Sequence, residues 1–198
     1  MGRIREMQLG IHEVFYVSLG IAKGMCFLHH VGVVHGELKS TNVLMSDSGE
    51  ALIDVSNSLQ AQALQKGHYS SAVARRSMRW TPCEYFLLPD DENFHPTQKS
   101  DVWGFGMTVM ELLTRDAPYA HFKTDGAVLR AISQGELPRK PDIDDSDPDA
   151  GLKHFMWLIC LKCWRLNPEE RPSMREILEE MLDYPLEDTH SMPSNEEF

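Results

Sequence analysis

From Asp101 to Leu113 the chain is apolar on nearly every side of a helical projection, interrupted only by Glu111, Thr108 and two glycines. A helix of that kind has no face to offer water, so it marks the buried centre around which the other elements must pack. Its longest apolar run, Val102 to Leu113, falls short of the roughly 20 residues that cross a bilayer, and it contains an acid. No membrane span is expected from it.

The other elements are shorter and more one-sided. Ile11, Val14, Phe15, Val17, Ile21, Met25 and Leu28 recur at helical spacing and predict an amphipathic helix ending near His29–Gly32. Leu152–Arg165 reads as a second buried helix. Ser173-x-x-Glu176 is a capping box that opens a last helix carrying Ile177, Leu178, Met181 and Leu182. Val43-Leu44-Met45 and Ala51-Leu52-Ile53 flank Ser46–Glu50, a run of turn-forming residues, and predict a hairpin. The fold class expected is mainly α with one small β-hairpin. Residues 55–79 lack periodicity, and a loop of that length in a compact domain usually serves function. Residues 140–150 read as an acidic surface loop and 185–198 as an acidic tail that stays disordered.

At 198 residues a single core is large enough to need no staples. The formal charge of −11 argues against nucleic acid and anionic membranes as partners, since both attract basic surfaces. Four cysteines are too few for a disulfide scaffold, and Cys160 and Cys163 sit in an apolar helical run where thiols act as small hydrophobes. The N-terminus has no apolar signal core, and Glu6 stands where N-myristoylation wants a hydroxyl. A soluble, intracellular chain in the cytoplasm is expected. His12-Glu13 lacks the second histidine of a zinc-protease helix, because Tyr16 takes its place.

Candidate chemistry gathers at the hairpin. Asn42 precedes its first strand and Asp54 follows its second, so antiparallel pairing brings both to the same open end. An amide oxygen beside a carboxylate makes a hard-oxygen pair suited to Mg²⁺ shared with substrate phosphates, although Asn and Asp also flank strands simply as turn formers. The preceding loop adds His35-x-Glu37-Leu38-Lys39-x-x-Asn42, an acid, a base and an amide within six residues. Such a carboxylate can accept a hydroxyl proton while the ammonium neutralises a transferring phosphoryl group.

This pattern resembles the catalytic loop H-R-D-L-K-x-x-N of protein kinases, with Asp54-Val55-Ser56 where that family has D-F-G. Gly24-Met25-Cys26-Phe27-Leu28-His29 is similar to the helix before that loop, and Trp80–Glu84 to the A-P-E close of the activation segment, here 54–84. Ser100–Gly106 resembles the central D-V-W-S-F-G helix, and Cys163-Trp164, Asn167-Pro168 and Arg171-Pro172 match the C-W-x-x-x-P-x-x-R-P block. The likeness runs from about 11 to 184, so residues 1–184 are expected to form one protein-kinase-like C-terminal lobe. The Lys39 position and the C-W…R-P ending look most like the tyrosine-kinase-like group, whose members mainly phosphorylate Ser and Thr. The resemblance implies ATP and Mg²⁺ as cofactors. It puts Glu37 and Lys39 at the catalytic positions, Lys39, Asn42 and Asp54 against the nucleotide, and Asn42 and Asp54 on the metal. It also implies supporting roles for His35 (a packed, hydrogen-bonded loop residue), for Asp101 on the loop backbone, and for an ion pair between Glu84 and Arg171.

The sequence also departs from that family. Neither the glycine loop nor the strand lysine of the N-terminal lobe is found, and Lys23 reads as a solvated helix residue. Glu37 is one methylene longer than the catalytic aspartate, and displacements of order 1 Å can cost about 10²-fold in rate. Gly36 replaces the arginine that grips an activation-loop phosphate, Val55-Ser56 replaces Phe-Gly, and Cys83 stands in the closing motif. Besides a folding-incompetent remnant with apolar surface left exposed, two readings follow. One is a degenerate, pseudokinase-like lobe that binds a protein partner in signalling. The other is the catalytic half of a Ser/Thr kinase acting on a protein substrate, completed by a separate N-terminal lobe or kinase chain. Ser56, Ser58, Tyr69, Ser70, Ser71 and Ser77 are candidate phosphorylation sites that nothing in the sequence ranks.

Overall fold

The computed structural model describes residues 2–4, 7–56, 77–86 and 95–186. Residues 57–76 of the expected activation segment, with Ser58, Tyr69, Ser70 and Ser71, lie outside these, as does the tail from 187 onward.

Helix α1 spans Ile11–His30 and buries Val14, Phe15, Val17, Ile21, Ala22 and Met25. Its first turn is closed by Glu13, whose Oε2 accepts from the Gly10 N–H at 2.6 Å. This helix corrects the membrane reading of the sequence in one respect: it has 20 residues, and an 18-residue window of it has a mean hydropathy of 1.3, long and apolar enough by length and composition to cross a bilayer. Part of that apolar surface lies in the core, while Phe27 is 64% exposed.

Helix α2 is the central element, Gln98–Thr114, and every residue from Ser100 to Leu112 is buried. It begins three residues earlier than its apolar stretch because Thr97 caps it. The Thr97 hydroxyl accepts from the Ser100 N–H at 3.1 Å, and Ser100 Oγ accepts from the Thr97 N–H at 2.9 Å. Helix α3, Asp125–Ser133, was not legible from the sequence. It turns only Val128, Ala131 and Ile132 inward, too few for a periodic signal. Its end is a Schellman motif: Gly135 has φ +72°, and the N–H groups of Gly135 and Glu136 bond Ile132 O and Ala131 O at 2.9 Å each. Helices α4, Ala150–Cys163, and α5, Met174–Leu182, complete the set.

The layers follow from these faces: α4 packs on α2, while α5 packs on α1, which also touches α2. Contact between α2 and α4 is close. A Cβ on Gly106 would lie 2.7 Å from both Cys163 Cβ and Trp164 Nε1, so only glycine fits there. Cys160 and Cys163 are free and fully buried, and burial pushes both thiols above their ordinary pKa.

The predicted hairpin is present as β2, Val43–Met45, and β3, Ala51–Ile53, with Val43 opposite Ile53. It is not alone: β1, Gly2–Arg3, adds to β2 antiparallel, and the sheet has three strands in the order β1-β2-β3. A two-residue strand carries no alternation that a sequence can show. The architecture is mainly α with this small sheet packed against α1.

Candidate active site

The site is built on α2. Asp101, near its start, is 2% exposed and accepts from the backbone N–H of His35 at 2.8 Å, from that of Gly36 at 2.7 Å and from His29 Nε2 at 2.9 Å. Glu111, ten residues further and thus about 15 Å along the axis, is also buried. It accepts from the Ser40 N–H at 3.1 Å, from Ser40 Oγ at 2.6 Å and from Trp80 Nε1 at 3.1 Å. Two acids of one rigid helix therefore hold the two ends of the loop 35–42. Each satisfies buried N–H groups that would otherwise carry a desolvation cost.

Inside that loop, His35 links its neighbours. A carbonyl can only accept, so Nε2 donates to Asp54 O at 3.1 Å, and Nδ1 accepts from the Glu37 N–H at 3.2 Å. Both bonds need the neutral Nε2–H tautomer. Burial lowers the His35 pKa and outweighs the opposing pull of Asp101, the Asp54 carbonyl and Glu37. Gly36, at φ +78°, adopts a backbone that residues with a Cβ rarely visit.

Glu37 and Lys39 meet directly. Lys39 Nζ donates to Glu37 Oε1 at 2.6 Å and to Ser77 Oγ at 2.9 Å, while Ser77 Oγ donates to the same Glu37 oxygen at 2.6 Å. Burial works to raise the Glu37 pKa, but the hydrogen bonds from Lys39 and Ser77 overcome it and hold the carboxyl below its ordinary value.

Asn42 and Asp54 share the open end of the hairpin: the Asp54 N–H donates to Asn42 O at 2.8 Å. Asn42 Nδ2 donates to Glu37 O at 2.8 Å, which orients the amide and leaves Oδ1 as its ligand atom. Asp54 Oδ1 accepts from the Ser56 N–H at 3.0 Å. Among the described residues no group of three or more His, Cys, Asp or Glu is placed to hold a metal ion. Two hard-oxygen side chains fit Mg²⁺ that takes its remaining ligands from nucleotide phosphates and water, not a protein-only cage.

At the other end of residues 54–84, Arg171 and Glu84 form a two-armed pair, Nη1–Oε1 and Nη2–Oε2 both at 2.7 Å. The guanidinium is fully buried, donates further to Arg165 O and Lys99 O, and lies 4.9 Å from the centre of the Trp103 ring.

Sequence reasoning missed three participants. Glu111 had a signal, since an acid inside an otherwise apolar helix needs a buried partner. Ser77 and Arg79 had none. Arg79 Nη1 donates to Pro118 O and Tyr119 O, 2.9 Å each, across about forty residues of chain.

The sequence model of a family described as protein tyrosine and serine/threonine kinase matches residues 3–181. Mitogen-activated protein kinase kinase kinase 9 of Arabidopsis thaliana is 29% identical over 182 residues, 88% of this chain and 21% of that protein. Human receptor-interacting serine/threonine-protein kinase 1 is 28% identical over 185 residues, 88% of this chain and 26% of that protein. Mouse receptor tyrosine-protein kinase erbB-2 is 30% identical over 187 residues, 91% of this chain and 14% of that protein. The chain thus spans about a fifth of the length of the curated relatives it matches.

Proposed function

The chain belongs to the protein tyrosine and serine/threonine kinase family, and from that premise we propose that it is a pseudokinase-like lobe that binds or regulates a protein partner in signalling. The observation that carries this reading is Glu37. The side chain in the catalytic-aspartate position is one methylene longer, and its Oε1 is already bonded to Lys39 and Ser77. Both bonds favour the ionised form and so weaken it as a proton acceptor. They also draw the Lys39 ammonium onto Glu37. Gly36 and Val55-Ser56 add to this, since the family's phosphate-gripping arginine and its Phe-Gly plug are replaced. The activation segment, 54–84, is the proposed contact surface, and the cytoplasm the proposed location.

A second reading is favoured by a different observation, the meeting of Asn42 and Asp54 at one hairpin end. On that reading the chain is the catalytic half of an ATP- and Mg²⁺-dependent Ser/Thr kinase, completed by an N-terminal lobe outside these residues. Asn42 and Asp54 would hold Mg²⁺, which bridges and neutralises nucleotide phosphates when bound. Glu37 would orient the acceptor hydroxyl, and Lys39 would steady the transferring phosphate.

A thermal-unfolding titration with ATP, with and without Mg²⁺, separates the two when run beside Asp54→Ala. A ligand at about 100 times its Kd stabilises by about 2.7 kcal/mol, a shift of several degrees in a domain of this size. No shift in a cooperatively folding chain is the outcome expected of the pseudokinase-like lobe. A Mg²⁺-dependent shift that Asp54→Ala abolishes would replace it with the enzyme reading.

A further inference from the structure

A cavity of about 420 Å³ opens where the chain before α1, the end of α2 and the acidic loop 140–150 converge. None of the residues placed above against nucleotide, metal or partner lines it. Its volume lies within the range of small-molecule sites, about 300–1,000 Å³. The body is apolar, built by Leu9, Ile11, Val14, Leu112, Leu113 and Ile143. Four charged residues, Arg115, Asp142, Asp149 and Lys153, also stand on its wall.

Arg115 is held there at a cost in backbone conformation. It ends α2 in the left-handed region at φ +61°, which is uncommon for a residue with a Cβ. Its N–H bonds Glu111 O at 2.8 Å and its Nη2 donates to Leu9 O at 2.9 Å, so the helix end and the chain before α1 both fix it. Strained backbone of this kind clusters at ligand clamps. The residue is exposed, and its guanidinium has no ion-pair partner among the described residues.

Two of the other three charges are already paired. Asp149 Oδ1 bonds His12 Nε2 at 3.0 Å, and Lys153 Nζ bonds Asp147 Oδ2. The same bonds tie the acidic loop to α1 and α4. Asp142 differs: it is exposed, and its carboxylate has neither a hydrogen bond nor an ion pair among the described residues. An apolar floor is therefore bordered by one unpaired cation and one unpaired anion.

We propose that this cavity binds a small zwitterion with an apolar body, of the kind a short apolar peptide with free ends presents, its carboxylate at Arg115 and its ammonium at Asp142. A simple anion would meet the wrong sign at Asp142, and a simple cation would meet it at Arg115. A zwitterion meets the right sign at both, which makes the border selective. The Asp149–His12 and Lys153–Asp147 pairs are satisfied within the chain and favour neither sign. Burial of the apolar body supplies the affinity. This site goes beyond the binding of a protein partner proposed above and does not depend on it.

The test is isothermal calorimetry on the whole chain with leucyl-leucyl-leucine, its N-acetyl derivative and its C-terminal amide. A pH of about 6.5 keeps both peptide ends charged, and about 50 mM salt limits screening. The free tripeptide is expected to bind saturably, and each blocked form about fivefold more weakly, the effect of losing one exposed charge contact. Arg115→Gln should weaken the free tripeptide about fivefold and leave the amide unchanged. Asp142→Asn should weaken the free tripeptide equally and not weaken the N-acetyl form. Absence of saturable binding, or equal binding of all three forms, overturns the proposal. So does a loss in Arg115→Gln that is as large for the amide as for the free tripeptide, since that reports an altered cavity instead of a carboxylate contact. Binding needs no nucleotide and is retained in Asp54→Ala, so its failure is distinct from the outcome of the ATP titration.

Discussion

Ser77 Oγ and Glu37 Oε1 are 2.6 Å apart, so the chain at Ser77 is fastened to the 35–42 loop. Forty residues separate them in sequence. The same carboxylate oxygen takes Lys39 Nζ at 2.6 Å, and the three groups form one half-buried cluster.

Removing the hydroxyl with Ser77→Ala leaves Glu37 and Lys39 with one partner fewer. A loss of about 1–2 kcal/mol is expected, read as a fall of several degrees in Tm. The Glu37 carboxyl should also titrate higher, because one of the two hydrogen bonds holding it down is gone. An unchanged Glu37 titration, followed by NMR of its side-chain carboxyl, would contradict the cluster.

Glu84→Ala leaves the fully buried Arg171 guanidinium without its carboxylate. Breaking one partner of such a pair costs about 3–5 kcal/mol. Pairing Glu84→Ala with Arg171→Met should recover much of that loss, since two apolar replacements strand no charge. Urea unfolding of the three variants checks both halves of the statement. A single variant as stable as the parent would show that the pair contributes little.

His35 gives stability a pH dependence of known sign. Its pKa is lowered in the fold, chiefly by burial, so below the ordinary value of 6.5 the unfolded chain binds a proton that the folded chain does not. Its contribution is complete above that value and declines as pH falls toward the folded pKa. Glu37, also lowered, contributes above its ordinary 4.5 and loses that contribution only below it. Between the two values Glu37 is silent, while His121, whose pKa burial also lowers, shares the interval, so the variant at His35 isolates the His35 share. Urea unfolding at about pH 7.5 and about pH 5.5 should show a loss on acidification that His35→Asn reduces. An identical pH slope in the variant would count against the neutral tautomer.

Gly106→Ala tests the contact between α2 and α4. The new methyl would sit 2.7 Å from Cys163 Cβ and Trp164 Nε1, both on well-packed residues. Overpacking of this kind costs about 1–3 kcal/mol. The same change at Gly126, where nothing lies within 4 Å, should be neutral or slightly stabilising. Thermal melts of the two variants make the comparison.

What was legible in the sequence was local. The closeness of Asn42 and Asp54 follows from a three-residue ladder in which Val43 faces Ile53, so the flanking positions must meet. Ser173 announces its helix because capping needs only residues within one turn. Helix α3 and strand β1 escaped because three inward residues and a two-residue strand are too short for any period to show.

The chain alone determined its longer elements, the acidic balance and the order of its motifs, for these depend on side-chain spacing within a few residues. Only the tertiary structure decided that Glu111 holds Ser40 and Trp80, that Ser77 occupies Glu37, and that Arg79 reaches the loop at Tyr119. Each bond joins residues 31 to 71 positions apart. Which donor reaches which buried acceptor is set by how helices pack around α2, and no short-range spacing encodes that.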